Sequence, residues 1–216
     1  MNKPFSREYW VRVLLLLLGL AIAHLGVTLF LLTELGSDPF NVLIQGLHRL
    51  IGSTRITHGT VHICICFLII LILLFVDRSY IGIGTIICMF CGGPIIDFFT
   101  GLLSPFLGSS SSLALRLCML VAGCVVLAFG MTMVIRSDAG TGPNDLVALV
   151  ISEKTGWKFS LVRMAVDALF VLAGFLLGGV AGLGTLICMF LVGPVAGFFL
   201  PRNGRWIEKL VRRCCP

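Results

Sequence analysis

The residues best suited to chemistry are a few charged side chains within long apolar stretches. Arg163 and Asp167 stand four residues apart in the segment SLVRMAVDALF, so a helix places both on one face, where they can neutralise each other. Because a charged group inside a bilayer is costly, each such residue is a candidate for binding a substrate, an ion or a proton. The pair either serves such a site or is a buried ion pair that fixes helix packing.

Asp97 is a further acidic residue within an apolar run, and Gly197 stands at the matching place near the end of the chain. Asp97 predicts either a proton or cation site with a raised pKa, or a solvated carboxylate near the membrane surface. His24 lies in the first apolar run. A single histidine there is more typical of hydrogen-bonded packing than of a ligand.

Two polar breaks interrupt the apolar sequence at residues 36–39 and 140–143. In membrane transporters, paired interruptions at corresponding places mark a binding site, because half-helix N-termini present free N–H groups and positive dipole ends. Acidic residues at the breaks either cap the helices or bind a cation or an amine. The side chains predicted to line this region are Asp38, Asn41, Asn144 and Asp145.

A short helix is predicted after each break, over 39–51 and 143–155. Each would rise only about 20 Å, less than the roughly 30 Å of the hydrocarbon core, and we therefore interpret both as half-helices or re-entrant segments. A surface amphipathic helix and a short full span are the alternatives. The predicted boundary residues are Pro39 and Pro143 at the first helical position, Ser37 or Asp38 and Thr141 as N-caps, and Gly52 and Gly156 at the C-termini.

No arrangement typical of catalysis is present, so the chain is predicted not to be an enzyme and to have no catalytic residues. A repeated GxGT pattern is not a nucleotide loop, because no strand precedes it and no GK[ST] follows; its small residues instead favour close helix approach. The sequence predicts no metal site and no cofactor. The pattern comprises Gly82, Gly84, Thr85, Gly182, Gly184 and Thr185, and each copy is followed by a proline that should kink its helix, Pro94 or Pro194.

Composition defines the elements that must position these residues. The chain has 216 residues, of which 58% are hydrophobic and 12% charged, and its mean hydropathy is +1.07. A typical soluble domain is about 45–50% apolar and about 25% charged. These values exclude soluble, disordered and disulfide-scaffold classes and predict an all-α polytopic membrane protein, with the lipid bilayer as its main partner. Residues 1–216 are expected to form a single membrane domain.

The chain contains an internal duplication. Residues 81–99 match residues 181–199 at eleven of nineteen positions, and earlier matches, which include the breaks, fall at an offset of 104. Ordered matches of glycines and prolines are not explained by hydrophobic composition alone. The predicted repeats cover about 12–103 and about 113–200, followed by a basic cytoplasmic tail at 201–216.

The number of spans follows from how the short helices are counted. Six spans, three per repeat, make the repeats inverted and place twelve Lys and Arg residues inside and three outside. Eight spans make the repeats parallel, with thirteen inside and two outside. The positive-inside rule fits both arrangements, whereas helix length favours six. Both place the two termini in the cytoplasm, where the basic ends anchor the protein at the membrane; nucleic acid is not expected as a partner.

The motifs together resemble those of the YczE/YyaS/YitT group of bacterial multi-pass membrane proteins. The resemblance covers roughly residues 15–200 and implies a protein of the bacterial cytoplasmic membrane. Distant relatives classed as small-molecule exporters imply a role in transport. The segments that carry the resemblance are 36–43, 82–85, 140–146, 161–167, 182–185 and 193–194. Arg55 and His58, near the start of the second span, depart from the group's pattern.

These features predict a small secondary transporter or permease whose small-molecule substrate binds at the interface of the two repeats. A non-transporting membrane scaffold or accessory subunit is the alternative, and a second copy of the chain is a candidate partner in either case. The residues expected to line or support the site are Asp38, Asn41, Asn144, Asp145, Arg163 and Asp167, with Asp97 as a further ion-binding candidate.

Topology can be tested with a single cysteine. Thr54→Cys, on a background without reactive cysteines, should react with a membrane-impermeant reagent from outside the cell, because six spans place residue 54 there. Labelling only from the cytoplasmic side would support eight spans instead.

Overall fold

A computed structural model describes residues 7–52, 56, 58–106 and 112–214, so Thr54 and the last two residues of the chain lie outside the described part. The described residues form eight α-helices and one 3-10 helix, with no strand. In chain order these are α1 (Arg7–Leu31), α2 (Pro39–Ile51), α3 (His58–Val76), the 3-10 helix (Arg78–Tyr80), α4 (Ile83–Leu103), α5 (Leu113–Arg136), α6 (Pro143–Thr155), α7 (Phe159–Leu176) and α8 (Leu183–Cys214).

Six of the described helices are long and apolar enough to cross a membrane: α1, α3, α4, α5, α7 and α8. The two short helices, α2 and α6, have 13 residues each and lie between spans. The predicted all-α fold with six spans and two short helices is confirmed.

The antiparallel pairing of α1 and α5 excludes the eight-span alternative. Gly19 on α1 faces Gly130 and Met133 on α5, whereas Gly26, further along α1, faces Gly123 and Leu127. Residue numbers therefore rise along one helix as they fall along the other. In a six-span chain α5 is the fourth span and runs opposite to α1, whereas in an eight-span chain it would be the fifth and run parallel.

Glycines bring α1 and α5 into backbone contact. A Cβ atom on Gly26 would lie 2.3 Å from the backbone nitrogen of Leu127, and one on Gly130 would lie 2.2 Å from the backbone nitrogen of Ala23. Only glycine fits at such a crossing, because the side chain is replaced by the partner's backbone. The two helices form the central pair of the bundle.

The helices α4 and α8 flank the central pair, and each runs parallel to the helix that it packs on. Gly84 and Gly92 on α4 meet Leu16 and His24 on α1, while Gly184 on α8 meets Leu120 on α5. Both helices continue through their internal prolines.

The last span continues as helix into the segment 201–216 that the sequence predicts as a basic cytoplasmic tail. The helix continues through Pro201 to Cys214. Its last part is amphipathic: Ile207 and Val211, one turn apart, are buried in a cluster with Leu15 and Met133. This apolar contact keeps a charged segment helical against the bundle.

The glycine seam gives a matched stability test. Gly26→Ala should destabilise the protein by about 1–3 kcal/mol because the new methyl group overlaps the backbone of α5. Gly93→Ala on α4 is the control, since a Cβ there meets no atom within 4 Å and alanine is the better helix former by about 1 kcal/mol. Denaturant unfolding in detergent measures both; equal effects would contradict the close crossing.

Candidate functional site

Two residues with positive φ shape each polar break, one just before the break and one at its first position. Glu34 and Asp138 both have φ 53°, and Gly36 and Gly140 have φ 147° and 129°. A Cβ on Gly140 would lie 2.5 Å from the backbone nitrogen of Thr85, so both the turn and the close approach require glycine there. Each break therefore has a glycine at its first position.

The GxGT motifs hold the breaks across the two halves of the chain. The backbone N–H of Gly84 donates to the carbonyl of Ala139 at 2.8 Å, and that of Gly184 donates to the carbonyl of Leu35 at 2.9 Å. The Thr185 hydroxyl also donates to the Ser37 carbonyl at 2.6 Å. Each half therefore fixes the start of the other half's short helix.

Two arginines tie the ends of the central pair to the breaks. Arg12 donates to the Asp138 carboxylate at 2.9 Å and to the Ser137 carbonyl at 3.3 Å. Arg116 donates to the Thr33 carbonyl at 2.6 Å, and its Nη2 lies 3.8 Å from a Glu34 oxygen. We call these contacts the end clamps. The sequence analysis missed them, although Arg12 and Arg116 stand 104 residues apart, the offset of the breaks themselves.

Asp38 caps α2. Its Oδ1 accepts the Asn41 backbone N–H at 3.1 Å, and its Oδ2 accepts the Asn41 side-chain amide at 2.5 Å. His58 Nε2 then contacts Asn41 Oδ1 at 3.2 Å. Because an amide oxygen can only accept, the histidine nitrogen is the donor.

The first turn of α6 is built differently. Its N-cap is Gly142, with no side-chain cap, so the prediction of Thr141 as N-cap is wrong by one residue. Thr141 instead receives a contact from the other half, since its N–H donates to the Thr85 hydroxyl at 3.4 Å. Pro143 occupies the first helical position and Gly156 ends the helix in the left-handed conformation, as the sequence predicts. Asn144 lies half-buried beside Gly142.

Arg163 bridges α6 and α7 through two carboxylates. Its Nη1 donates to Asp145 Oδ1 at 2.5 Å, and its Nε donates to Asp167 Oδ2 at 3.0 Å. Arg163 is 7% exposed and Asp167 is 1% exposed, and Asp167 lies at the middle of α7. The Arg163–Asp167 pair, which the sequence predicts on one face of a helix, is thus joined by Asp145 from the short helix α6.

The bridge leaves a carboxylate oxygen without a partner. Among the described residues, Asp167 Oδ1 is buried and accepts no hydrogen bond. Two carboxylates against one guanidinium also leave one negative charge in excess. A buried acceptor in this condition is costly unless a proton or a ligand satisfies it.

Both breaks meet in this region. Asp145 of the second break binds Arg163 of α7, and Phe40, two residues after Asp38 of the first break, packs on Phe170 of α7 with ring centroids 5.4 Å apart. Asp38 and Asp145 are also the acidic groups whose charges reach His24 and Asp167. We call Asp38, Asp145, Arg163, Asp167 and His24 the polar centre. The structure therefore brings together the predicted residues of both breaks and of α7, whereas Asp97 lies apart, exposed on α4.

His24 is the member of the polar centre that sequence reasoning set aside. Its Nδ1 lies 2.8 Å from the Leu20 carbonyl, which can only accept, so Nδ1 carries the hydrogen and Nε2 is the basic nitrogen of the neutral ring. Nε2 faces Gly92, where a Cβ would lie 2.8 Å away. Gly92 has no side chain, which leaves room for this ring against α4.

A cavity of about 530 Å³ opens beside the second break. The Tyr80 hydroxyl donates to Glu153 at 2.7 Å at its rim, and this bond raises the pKa of Tyr80 to about 12. The residues that line the cavity include Thr141 and Leu146, which are neighbours of the polar centre, together with Asp138 and Leu149.

No cluster of metal ligands is formed by the described residues, since no three His, Cys, Asp or Glu side chains lie together in a suitable arrangement. The described cysteines are free thiols.

The fold and the polar centre define a polytopic α-helical membrane protein with charged residues inside its bundle. The chain belongs to DUF6198, a family of unknown function whose model matches residues 10–201.

Three curated relatives cover most of the chain. An uncharacterized membrane protein of Bacillus subtilis, YczE, is 30% identical over 199 residues, which are 90% of this chain and 88% of the relative. An uncharacterized protein of Haemophilus influenzae is 30% identical over 186 residues, 86% and 82% of the two chains. YyaS of Bacillus subtilis is 26% identical over 184 residues, 85% and 90%. The resemblance to the YczE and YyaS group is confirmed. No solved structure matches the chain.

Removing the bridging cation should cost far more stability than removing an exposed one. Arg163→Met leaves the buried Asp167 and the half-buried Asp145 without their cation and should lower the unfolding free energy by about 3–5 kcal/mol. Lys154→Met is the control, because its pair with Asp77 at 3.3 Å is solvent-exposed and worth about 0–1 kcal/mol. Unfolding in detergent compares the two; similar losses would contradict the buried bridge.

Proposed function

We propose that the protein is a small secondary transporter or permease whose substrate binds at the polar centre, between two inverted repeats. The observation that carries the proposal is that both breaks contact α7: Asp145 in the first turn of α6 binds Arg163, and the first turn of α2, which Asp38 caps, packs on Phe170 through Phe40. Short helices that begin inside a bundle and present polar first turns to one region are typical of transporter binding sites.

The contacts between the halves support an inverted repeat. The central pair is antiparallel, and matching contacts recur in the two halves: the GxGT glycines stand 100 residues apart, and the break residues they bind and the arginines of the end clamps stand 104 apart. In the proposed mechanism one half rocks against the other about the central pair. The end clamps lie at opposite ends of that pair, so that one opens while the other stays closed.

The two sides of the bundle differ in packing, which supports access from one side. The cavity is lined by α6 and by the loop before α4. At the corresponding place in the other half, α2 packs on α7 through glycines: a Cβ on Gly46 would lie 2.4 Å from the Gly174 carbonyl. Arg49 closes this end further by donating to the Gly178 carbonyl. We infer that the cavity is the entry path to the polar centre.

We further infer that the protein lies in the cell membrane with both termini in the cytoplasm. The distribution of Lys and Arg supports this orientation, since twelve would lie inside and three outside. The cavity is at the end of the bundle where α1 begins and α5 ends, as the Arg12–Asp138 clamp shows. In this orientation it faces the cytoplasm.

Flux into proteoliposomes tests the proposal. A panel of amines, carboxylates, amino acids and sugars should include one class that moves saturably. Asp145→Asn should reduce that rate at least about tenfold, equivalent to roughly 1.4 kcal/mol, because the half-helix loses its charged bond to Arg163. Asp97→Asn, which changes a carboxylate outside the polar centre, should leave the rate unchanged.

A scaffold or accessory subunit is the second candidate, and one surface of α4 favours it. Asp97 is exposed on this span, and Cβ atoms on Gly93 and Gly101, one turn away on either side, would meet no atom within 4 Å. A carboxylate on the outer face of a span is costly in lipid, and small neighbours permit another helix to approach. Folded protein that moves no compound but co-purifies with a stable partner, and loses it in Asp97→Asn, would support this candidate and count against transport.

A further inference from the structure

We propose that the polar centre binds the ammonium group of a small amine, with Asp167 Oδ1 as its main acceptor. This inference rests on the proposed function and names the substrate class of the same site. It starts from the unpartnered, fully buried oxygen on Asp167, which a cationic N–H donor satisfies in both charge and hydrogen bonding.

The other acidic groups of the site are already compensated. Both oxygens of Asp38 accept hydrogen bonds from Asn41, and Asp38 and Asp145 stand at helix N-termini, each of which contributes about half a positive charge. Asp145 also has its bond to Arg163. Asp167 lies in the middle of α7 and so does not itself stand at a helix N-terminus, and its Oδ1 is the buried acceptor of the site that receives no hydrogen bond from the described residues.

The charge balance disfavours an anionic substrate. Arg163 is the one guanidinium of the polar centre, and two carboxylates already bind it. A third anion would add repulsion in a region of low dielectric, where Coulomb energies are larger than in water. A cation instead neutralises the excess charge.

An aromatic cluster that begins one helical turn after Asp167 suits the carbon part of an amine. Phe170 stands three residues after Asp167, on the same face of α7. Its ring centroid lies 5.4 Å from that of Phe40, and the Phe40 centroid lies 5.3 Å from that of His62. Aromatic rings attract organic cations, whereas Mg²⁺ and Ca²⁺ prefer several oxygen ligands. One free carboxylate oxygen on the helical face that also carries an aromatic ring one turn away therefore favours an alkyl- or arylammonium ion.

Thermal unfolding of the purified full-length chain in detergent tests this site. Benzylammonium should raise the Tm of the wild type, and benzoate, of similar size and opposite charge, should not; potassium chloride controls for ionic strength. Asp167→Asn should abolish the shift, since the amide no longer carries the negative charge. Asp97→Asn is the matched control and should respond like the wild type.

A second variant provides a test of the same site if Asp167→Asn does not fold. Phe170→Leu preserves an apolar side chain but removes the ring, and it should weaken benzylammonium binding about three- to tenfold. Stabilisation by benzoate, or no response of the wild type to benzylammonium, would overturn the inference. So would an equal response in wild type, Asp167→Asn and Phe170→Leu.

The outcome separates this inference from the proposed function. Saturable flux of a carboxylate or sugar that depends on Asp145 would support transport and would contradict an amine as the substrate. Binding of benzylammonium through Asp167, with no flux of any compound in proteoliposomes, would support the amine site and overturn transport.

Discussion

The bridge from Arg163 to Asp145 and Asp167 is the interaction on which the rest of the structure depends. It joins a short helix to the middle of a span, in surroundings where an unpaired charge would be costly. A guanidinium can serve two carboxylates at once because its donors point in different directions. The two carboxylates carry one more negative charge than the single cation can neutralise, however. The same bridge that fixes α6 therefore leaves Asp167 Oδ1 without a hydrogen bond from the described residues. The structural contact and the acceptor of the proposed amine site thus belong to one arrangement.

The other helices and turns of the bundle hold this bridge in place. The glycine seam between α1 and α5 sets two helices in backbone contact, which gives the bundle a rigid axis. The GxGT turns then hold each break by hydrogen bonds from the opposite half. Since each half positions the other's short helix, the polar centre forms only when both halves are assembled. A movement of one half against the other would therefore act directly on the site.

Much of this could be predicted from the sequence, because the determining signals were local. Prolines and glycines marked the bounds of α2 and α6, and hydrophobic length identified the spans. Which residues of remote segments lie close together could not be recognised from the local sequence. The Asp145 bond to Arg163 and the place of His24 therefore came only from the structure, as did the antiparallel central pair that decided between six and eight spans. The basic end of α8 was interpreted by its charge, whereas Ile207 and Val211 determine its packing.

A double-mutant cycle between Asp145 and Arg163 tests the central claim most directly. The unfolding free energies of the wild type, Asp145→Ala, Arg163→Met and the double variant would be measured in the same detergent. Residues in one buried bridge should show a coupling energy of at least about 1 kcal/mol, with the double variant more stable than the sum of the single losses implies. A coupling energy indistinguishable from zero would contradict the claim that this bridge joins the half-helix to the bundle.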